Sequence, residues 1–181
     1  MNEREERLLK AFLDGNEAAF EELVKDSWER IYRTVMRIVR NHDDALDVMQ
    51  DSFVKAFTRI RSFRRASSFA TWLTSIAVRE AINRAQRDRF RRAVSLHLLG
   101  KRPSPAGANP DALAERSAIR ERVAQAIEAL PPVQRAVFTM RFYEELKVRE
   151  IAELLGSSEG AVKASYFHAV RKLRRNLSGL R

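Results

Sequence analysis

The chain contains no cysteine, which excludes disulfide bonds, thiolate metal sites and thiol-based catalysis. Glycine and proline are scarce, with six glycines and five prolines among 181 residues. Because both residues interrupt helices, their scarcity in a chain rich in Ala, Leu, Arg and Glu predicts an all-helical (all-α) protein. No apolar run is long enough to span a membrane, and the polar N-terminal segment argues against a signal peptide. We therefore expect a cytoplasmic protein without membrane insertion.

The few prolines are clustered, and they divide the chain. Pro103, Pro105 and Pro110 fall together with two glycines within residues 100–112. A segment of this composition cannot hold a helix and has little apolar surface to bury, so it predicts a flexible linker. We accordingly predict two small helical domains joined by this linker. Their boundaries are residues 1–95 for the first domain, 96–112 for the linker and 113–181 for the second domain.

The net charge of +10 favours a polyanionic partner, but the charge is unevenly distributed. Residues 1–60 hold ten Lys and Arg against thirteen Asp and Glu, whereas residues 61–92 hold nine Arg against two acids. The first domain therefore has an acidic early part and a basic late part. Such a division indicates two different partners for one domain.

Residues 148–175 carry the pattern of a helix-turn-helix. Apolar residues recur at helical spacing before and after Gly156, which can adopt the left-handed conformation that ends a helix. Ser157 or Ser158 can cap the second helix. That helix is strongly basic and has no acid after Glu159, as expected of a helix that reads the major groove. The alternative is a plain helical hairpin with a solvated basic face.

Residues 42–60 predict an amphipathic helix with an acidic surface. Its apolar residues recur every three to four positions and are predicted to be buried: Leu46, Met49, Phe53, Phe57 and Ile60. The polar residues then lie on the other faces: Asp43, Asp44, Asp47, Gln50 and Asp51. They suit either helix-dipole stabilisation and solubility or docking of a basic protein partner. A metal site with His42 is not predicted, because residues at these spacings around a helix start rarely converge on an ion.

Residues 60–73 interleave arginines with aromatic and hydroxyl side chains, a pattern that suits single-stranded nucleic acid. Four of the apolar residues share helical spacing and are predicted to be core: Phe69, Trp72, Leu73 and Ile76. Phe63 and the hydroxyl residues Ser62, Ser67 and Ser68 fall outside this stripe and predict a loop. The following helix ends in a basic stretch suited to phosphate contacts: Arg79, Asn83, Arg84, Arg87, Arg89, Arg91 and Arg92.

Three segments in this order resemble one known family. Residues 44–53 (DALDVMQDSF) are similar to its polymerase-binding helix, residues 63–77 (FRRASSFATWLTSIA) to its promoter-melting segment, and residues 130–163 to its reader of the −35 promoter element. The family is the extracytoplasmic-function (ECF, group 4) sigma factors of bacterial RNA polymerase, within the sigma-70 family. The resemblance covers nearly the whole chain. It implies a sigma region 2-like domain and a region 4-like domain, with initiation of transcription in response to stress or envelope signals.

The resemblance also implies roles for individual residues. Contacts with the polymerase β′ subunit are implied for Asp44, Asp47, Gln50 and Asp51. Contacts with the melted −10 element are implied for Ser62, Phe63, Arg64, Arg65, Ser67, Ser68, Arg79, Asn83, Arg84 and Arg87. Contacts with the −35 element are implied for Glu159, Gly160, Lys163, Ala164, Ser165, Phe167, His168 and Arg171. The expected partners are core RNA polymerase (β′ and β subunits), promoter DNA and an anti-sigma factor, with no cofactor, catalytic residue or metal.

Two other classes of protein compete with this interpretation. A stand-alone helix-turn-helix regulator would need a dimerisation surface and a ligand or receiver domain, and the sequence shows neither. An enzyme acting on nucleic acid would need a metal cluster or a phosphate-binding loop, yet the three histidines are scattered. Within the family resemblance, the chain departs from the common pattern at four DNA-facing positions, and its promoter sequence is expected to differ accordingly: Arg79, Asn83, Ser165 and Phe167.

Overall fold

A computed structural model describes residues 2–99 and 112–178, with side chains for residues 2–94 and 118–178. Within these ranges all regular structure is helical, which confirms the predicted fold class. The helices are α1 (Glu3–Leu13), α2 (Ala18–Lys25), α3 (Trp28–Val39), α4 (His42–Arg59), α5 (Phe69–Leu99), α6 (Ala112–Glu128), α7 (Pro132–Phe142), α8 (Val148–Leu155) and α9 (Glu159–Leu177), with a 3₁₀ turn at Ile60–Ser62. Residues 100–111, most of the predicted linker, lie outside the described residues.

The helix ends follow the local sequence signals. Gly156 ends α8 with φ of 63°, a left-handed conformation that glycine adopts without a steric penalty. Ser158 then caps α9, because its hydroxyl oxygen accepts a hydrogen bond from the backbone N–H of Ala161 at 3.2 Å. Pro132 opens α7 at a position where its missing N–H costs no helical bond. Both halves of the predicted helix-turn-helix are therefore present.

The first module, α1 to α5, is built around three packed helices. The α3 helix packs on α4 and α5, and α4 lies along α5. Phe69 and Leu73 are almost fully buried between them, while Trp72 and Ile76 are partly buried against the same cluster. This confirms the predicted core stripe at the start of α5, because apolar residues at helical spacing meet the neighbouring helices along one face.

The predicted buried stripe of α4 is only partly correct. Met49 and Ile60 are buried and Phe53 is partly buried, but Leu46 and Phe57 are 40% and 38% exposed. The face that α4 turns toward the core is rotated from the predicted one, and smaller residues occupy it: Ala45, Val48, Ser52 and Ala56. Small side chains allow α3 and α5 to approach α4 closely, and hydrophobicity alone did not reveal this preference.

The second module, α6 to α9, packs α6, α7 and α8 around α9. A small cluster that includes Ile127, Phe138 and Leu173 forms its own core. In addition, α7 contacts α3 and α5, and α8 contacts α5. Met140 and Ile151 consequently belong to the same buried cluster as Leu73 and Val78 of the first module. The two modules thus lie in direct apolar contact.

Candidate functional site

The acidic residues of α4 form an exposed surface near its N-terminus. Asn41 caps the helix, and its side-chain oxygen accepts a hydrogen bond from the backbone N–H of Asp44 at 2.9 Å. Asp47 follows with 61% of its side chain exposed, and Gln50 and Asp51 are also exposed. Residues at these spacings lie on one face of a helix. Three of the four predicted polymerase-binding residues are therefore accessible to a partner.

The fourth residue, Asp44, is engaged inside the first module. It forms an ion pair with Arg84 of α5, and only 17% of its side chain is exposed. Arg84 also lies 3.7 Å from Asp47 Oδ2 and 3.5 Å from Asp88 Oδ2. Burial lowers the pKa of Arg84, but the hydrogen bond and charge of Asp44 outweigh burial and keep that pKa above its ordinary value. Arg84, which the sequence assigned to DNA, here links α4 to α5.

Two apolar side chains that the sequence analysis did not assign to a site extend the acidic surface. Leu46 is 40% exposed and Val54 is 58% exposed, one turn before and one turn after Gln50. Apolar groups beside polar ones are typical of surfaces that bind proteins. We call Leu46, Asp47, Gln50, Asp51 and Val54 the docking face, after the polymerase contact that was predicted for its polar members. The helical spacing of Leu46 and Val54 with the acids was a readable signal, but Leu46 had been assigned to the core.

The segment between α4 and α5 separates a buried aromatic from exposed arginines. Phe63 is only 8% exposed, and its ring lies 5.1 Å from that of Trp72 and 6.2 Å from that of Phe69. Arg64 and Arg65 are exposed, and Arg65 has φ of 57°. A non-glycine residue in this left-handed region marks a tightly turned backbone. The loop therefore exposes two arginines that directly follow a buried aromatic residue in the sequence.

The serines of this loop are partly engaged in local hydrogen bonds. Ser62 donates its hydroxyl to the carbonyl oxygen of Arg59 at 2.7 Å. Ser68 accepts a hydrogen bond from the backbone N–H of Thr71 at 3.1 Å and so caps α5. Ser67 is half-buried, and its hydroxyl makes a long contact of 3.3 Å with the carbonyl oxygen of Ser68. Ser62 and Ser68 accordingly have structural roles in this conformation.

Three predicted DNA-binding residues follow one face of α5. Arg79, Asn83 and Arg87 are spaced by four residues and are exposed. The Arg79 side chain also donates from Nε to the carbonyl oxygen of Leu154 in α8 at 3.1 Å. Phe90, 71% exposed beside this face, was not singled out from the sequence. Exposed aromatics among arginines are typical stacking partners for unpaired bases, and this juxtaposition was visible in the sequence.

The predicted reading residues of α9 lie away from the core of the second module. Val162, Ala169 and Leu173 are buried and attach α9 to its neighbours. All eight residues predicted to contact the −35 element are exposed or half-exposed: Glu159, Gly160, Lys163, Ala164, Ser165, Phe167, His168 and Arg171. The structure therefore brings this set together on accessible surface of a single helix, which is the arrangement that major-groove reading requires.

Local contacts arrange the charged residues of this surface. Lys163 Nζ lies 3.6 Å from Glu159 Oε2, one turn away on α9. The guanidinium of Arg171 lies over the ring of Phe167 at 5.8 Å from its centroid, and Phe167 is 61% exposed. Both cations remain exposed, so each can exchange its weak intramolecular contact for a base edge or a phosphate.

An apolar cavity of about 460 Å³ opens beside α9. Val137 of α7, Val148 and Ile151 of α8, and Tyr166 and Val170 of α9 form part of its lining. Its rim is basic, with contributions from Arg141, Lys163, Arg171 and Arg174. Sequence reasoning missed this cavity, because it is formed by residues of three helices that have no shared periodicity.

Within residues 2–99 and 112–178, no cluster of His, Asp or Glu could hold a metal ion. No helix in this part of the chain is long and apolar enough to cross a membrane.

Comparison with known proteins identifies both modules. The family model of Sigma-70 region 2 matches residues 23–91, and that of Sigma-70, region 4 matches residues 120–173. The ECF RNA polymerase sigma-E factor of Salmonella typhimurium is 32% identical over 180 residues, covering 90% of this chain and 88% of the relative. The ECF RNA polymerase sigma factor SigW of Bacillus subtilis is 26% identical over 179 residues, covering 95% and 96%.

Solved structures agree with this relationship. CnrH in complex with the cytosolic domain of CnrY matches with a TM-score of 0.66 and 25% identity, covering 99% of this chain and all of that one. The sigma factor RpoE in complex with the anti-sigma factor NepR from Bartonella quintana has the same fold, with a TM-score of 0.63, 21% identity and coverage of 90% and 98%. The chain thus belongs to the extracytoplasmic-function sigma factors of the sigma-70 family, which bind core RNA polymerase and direct it to promoters.

Proposed function

We propose that the chain divides promoter recognition among three surfaces. The docking face binds core polymerase, the loop at residues 62–68 with the exposed face of α5 binds the melted −10 element, and α9 reads the −35 element. The observation that carries this proposal is the accessible basic surface of α9, held by a glycine turn and opposite a buried apolar face. A helix placed in this way can enter a major groove without unfolding any part of the module.

The proposal is tested directly by run-off transcription with bacterial core RNA polymerase. Promoter-specific transcripts are expected only when the chain is added, since it contributes recognition and no catalytic step of its own. Tight, sequence-specific duplex binding by the free chain, with no stimulation of core enzyme, would instead favour the stand-alone regulator. The membership of the chain in the sigma family does not favour that alternative.

Replacing Lys163 or Arg171 with Ala is expected to weaken recognition of the −35 element by about 1–3 kcal/mol, because a lost base contact of this kind costs that much. The loss should be largest on the preferred sequence and small on mismatched sequences. Binding of the holoenzyme to a series of promoters with single −35 substitutions measures this difference.

Arg87→Ala is the matched comparison for these variants. It also removes an exposed cation from a helix face, but it is proposed to contact phosphate, so the loss should be similar on all sequences. The salt dependence of binding should also flatten by about one unit of slope. Identical behaviour of the α9 variants and Arg87→Ala on mismatched promoters would contradict the proposed division of roles.

Replacing both Arg64 and Arg65 with Ala is expected to block promoter melting while leaving promoter association largely intact. The two arginines are exposed in the loop that joins α4 to α5, where they can hold an unstacked base or its phosphate. Permanganate reactivity of thymines across the −10 region measures melting. Arg7→Ala with Arg33→Ala removes the same charge from elsewhere in the first module, and that variant should melt promoters normally. Normal thymine reactivity in the loop variant would exclude this loop as the melting element.

Among the partners we include an anti-sigma factor, and we place the protein in the cytoplasm, where bacterial polymerase works. Support for a regulatory partner comes from CnrH, at 25% identity, whose structure contains the cytosolic domain of another protein. The apolar cavity with its basic rim is available to receive such a partner. A pull-down from native lysate with the full chain is expected to recover core polymerase together with any such protein.

A further inference from the structure

Arg84 of α5 faces three carboxylates with its three guanidinium nitrogens. Nη2 pairs with Asp44 in the first turn of α4, Nη1 lies 3.7 Å from Asp47 Oδ2, and Nε lies 3.5 Å from Asp88 Oδ2. The side chains of Arg84, Asp44 and Asp88 are 28%, 17% and 16% exposed, whereas that of Asp47 is 61% exposed. The guanidinium therefore lies mostly inside the first module, beside the first acid of the docking face.

The Asp44–Arg84 pair fixes the start of α4. The backbone N–H of Asp44 is already held by the side chain of Asn41, which caps the helix, and its carboxylate is held by Arg84. Asp47 follows Asp44 by three residues, so it lies on the same side of the helix. The position of Asp47 relative to α5 consequently depends on the contact between Asp44 and Arg84.

Neither member of the pair is well placed to serve an outside partner. A contact of Arg84 with a phosphate would leave the carboxylate of Asp44 mostly buried without its cation, and a contact of Asp44 with polymerase would leave Arg84 without its closest anion. Breaking such a pair by removing one partner is costly. Arg87, three residues farther along α5, is exposed and can contact phosphate without breaking an internal pair of this kind.

A second ion pair joins the same two helices with the charges reversed. Lys55 of α4 lies 2.7 Å from Glu80 of α5, and the Glu80 side chain is 17% exposed. Apolar packing and this second pair therefore continue to hold α4 on α5 when Arg84 is changed. Glu80 also provides a control, because it is buried to the same extent as Asp44 but pairs at a distance from the acids of the docking face.

We propose that Asp44 and Arg84 act together as a positioning pair for the docking face, and that neither contacts polymerase or DNA directly. The pair holds the first turn of α4 against α5, so that the exposed acids meet polymerase in one fixed arrangement. Groups that are fixed before binding lose less freedom on binding and so bind more tightly. This role rests on the proposed function of the docking face in binding core polymerase.

A double-mutant cycle on the affinity for core polymerase tests the proposal. Arg84→Gln and Asp44→Asn are each expected to weaken binding by roughly five- to twentyfold, which is the range of coupling within one ion-pair network. The double variant should bind no more weakly than either single variant, because the second change removes nothing that the first left in place. The double variant also has the net charge of the wild type, so a change of net charge cannot explain its loss.

Direct contacts would give a different result in the same cycle. If Asp44 touched polymerase independently of Arg84, the two losses would multiply in the double variant, and that outcome would overturn the proposal. Tighter binding by Arg84→Gln would also overturn it, because Arg84 would then oppose docking by screening the acids. Arg84→Lys can still pair with Asp44 and should remain within about threefold of wild type; binding no better than that of Arg84→Gln would refute the importance of this pair.

Glu80→Gln separates positioning from general loosening of the fold. It removes one charge from the other α4–α5 pair, and its affinity for polymerase should stay within about twofold of wild type. A loss equal to that of Arg84→Gln would show that any weakening of the α4–α5 contact lowers affinity, and would exclude a specific role for the Asp44–Arg84 pair. Far-UV circular dichroism identifies loss of helix; if Arg84→Gln loses helix, Arg84→Met replaces it in the cycle.

Promoter binding separates positioning from a DNA contact. With chain in excess over core polymerase, Arg84→Gln should leave the salt dependence of promoter binding unchanged, whereas Arg87→Ala flattens it. A flattened dependence in Arg84→Gln would assign Arg84 to phosphate and overturn the proposal. Charge reversal at Asp47 and Asp51 tests the docking face by itself. If that reversal weakens polymerase binding but Arg84→Gln binds as wild type does, the positioning pair is wrong and the docking face stands.

Discussion

Reversing the charge of the docking face, as Asp47→Lys with Asp51→Lys, is expected to weaken binding to core RNA polymerase by about 30- to 1,000-fold, or roughly 2–4 kcal/mol. Both carboxylates are exposed, so the fold should be unaffected. The acidic docking face is expected to bind a basic surface of polymerase. Two new lysines would face that surface, and like charges in contact oppose association. Competition with labelled wild-type chain for core enzyme measures the affinity.

The matched control is Glu21→Lys with Glu29→Lys, which makes the same change of charge at exposed positions on α2 and α3. This variant should bind core polymerase within about twofold of wild type, since a net-charge effect alone is screened by salt. Equal affinity of the two double variants would assign Asp47 and Asp51 to solubility and helix-dipole stabilisation. Leu46 and Val54 would then be the remaining candidates on the docking face.

Replacing Phe63 with Ala is expected to lower the free energy of unfolding by about 3–4 kcal/mol, because truncating a buried Phe leaves a cavity. The Phe63 ring is 8% exposed and packs against Trp72 and Phe69, so it supports the start of α5. Urea unfolding followed by tryptophan fluorescence measures the change. Any loss of promoter melting in this variant would follow from destabilisation of the loop and of the start of α5, which the Phe63 ring supports.

Phe63→Leu provides the control, because it retains an apolar side chain of similar volume and should cost less than about 1.5 kcal/mol. Arg64→Ala with Arg65→Ala should change stability by less than about 0.5 kcal/mol, since both side chains are exposed. If Phe63→Ala were as stable as the arginine variant, the ring would not be part of the core, and a direct role in holding a base would regain support.

Local patterns in the sequence predicted the fold class, the order of the motifs and the helix-turn-helix. These features depend on interactions between residues a few positions apart, such as the Ser158 cap and the Gly156 turn. The exposed set on α9 was predictable for the same reason, because its residues share one helix with a clear apolar face.

Predictions that depended on which face of a helix is buried were less accurate. Leu46 and Phe57 were expected in the core because they continue the three-to-four-residue spacing of the apolar stripe. Close packing instead selected Ala45 and Ala56, whose small side chains let α4 approach its neighbours. Phe63 was assigned to an accessible loop, and only the positions of Phe69 and Trp72 in space show that its ring is covered.

The sequence by itself determined an all-helical chain of two modules, with one helix that has an acidic surface and one that has a basic surface, because helix formation, capping and amphipathicity are local properties. Tertiary structure alone decided the pairing of Asp44 with Arg84, separated by 40 positions, and of Glu144 with Arg30, separated by 114. Such pairs leave no periodic trace in a single sequence. They form when packed helices bring charges that are distant in sequence close together in space. A charged side chain that is paired inside the chain in this way is less available to polymerase or DNA.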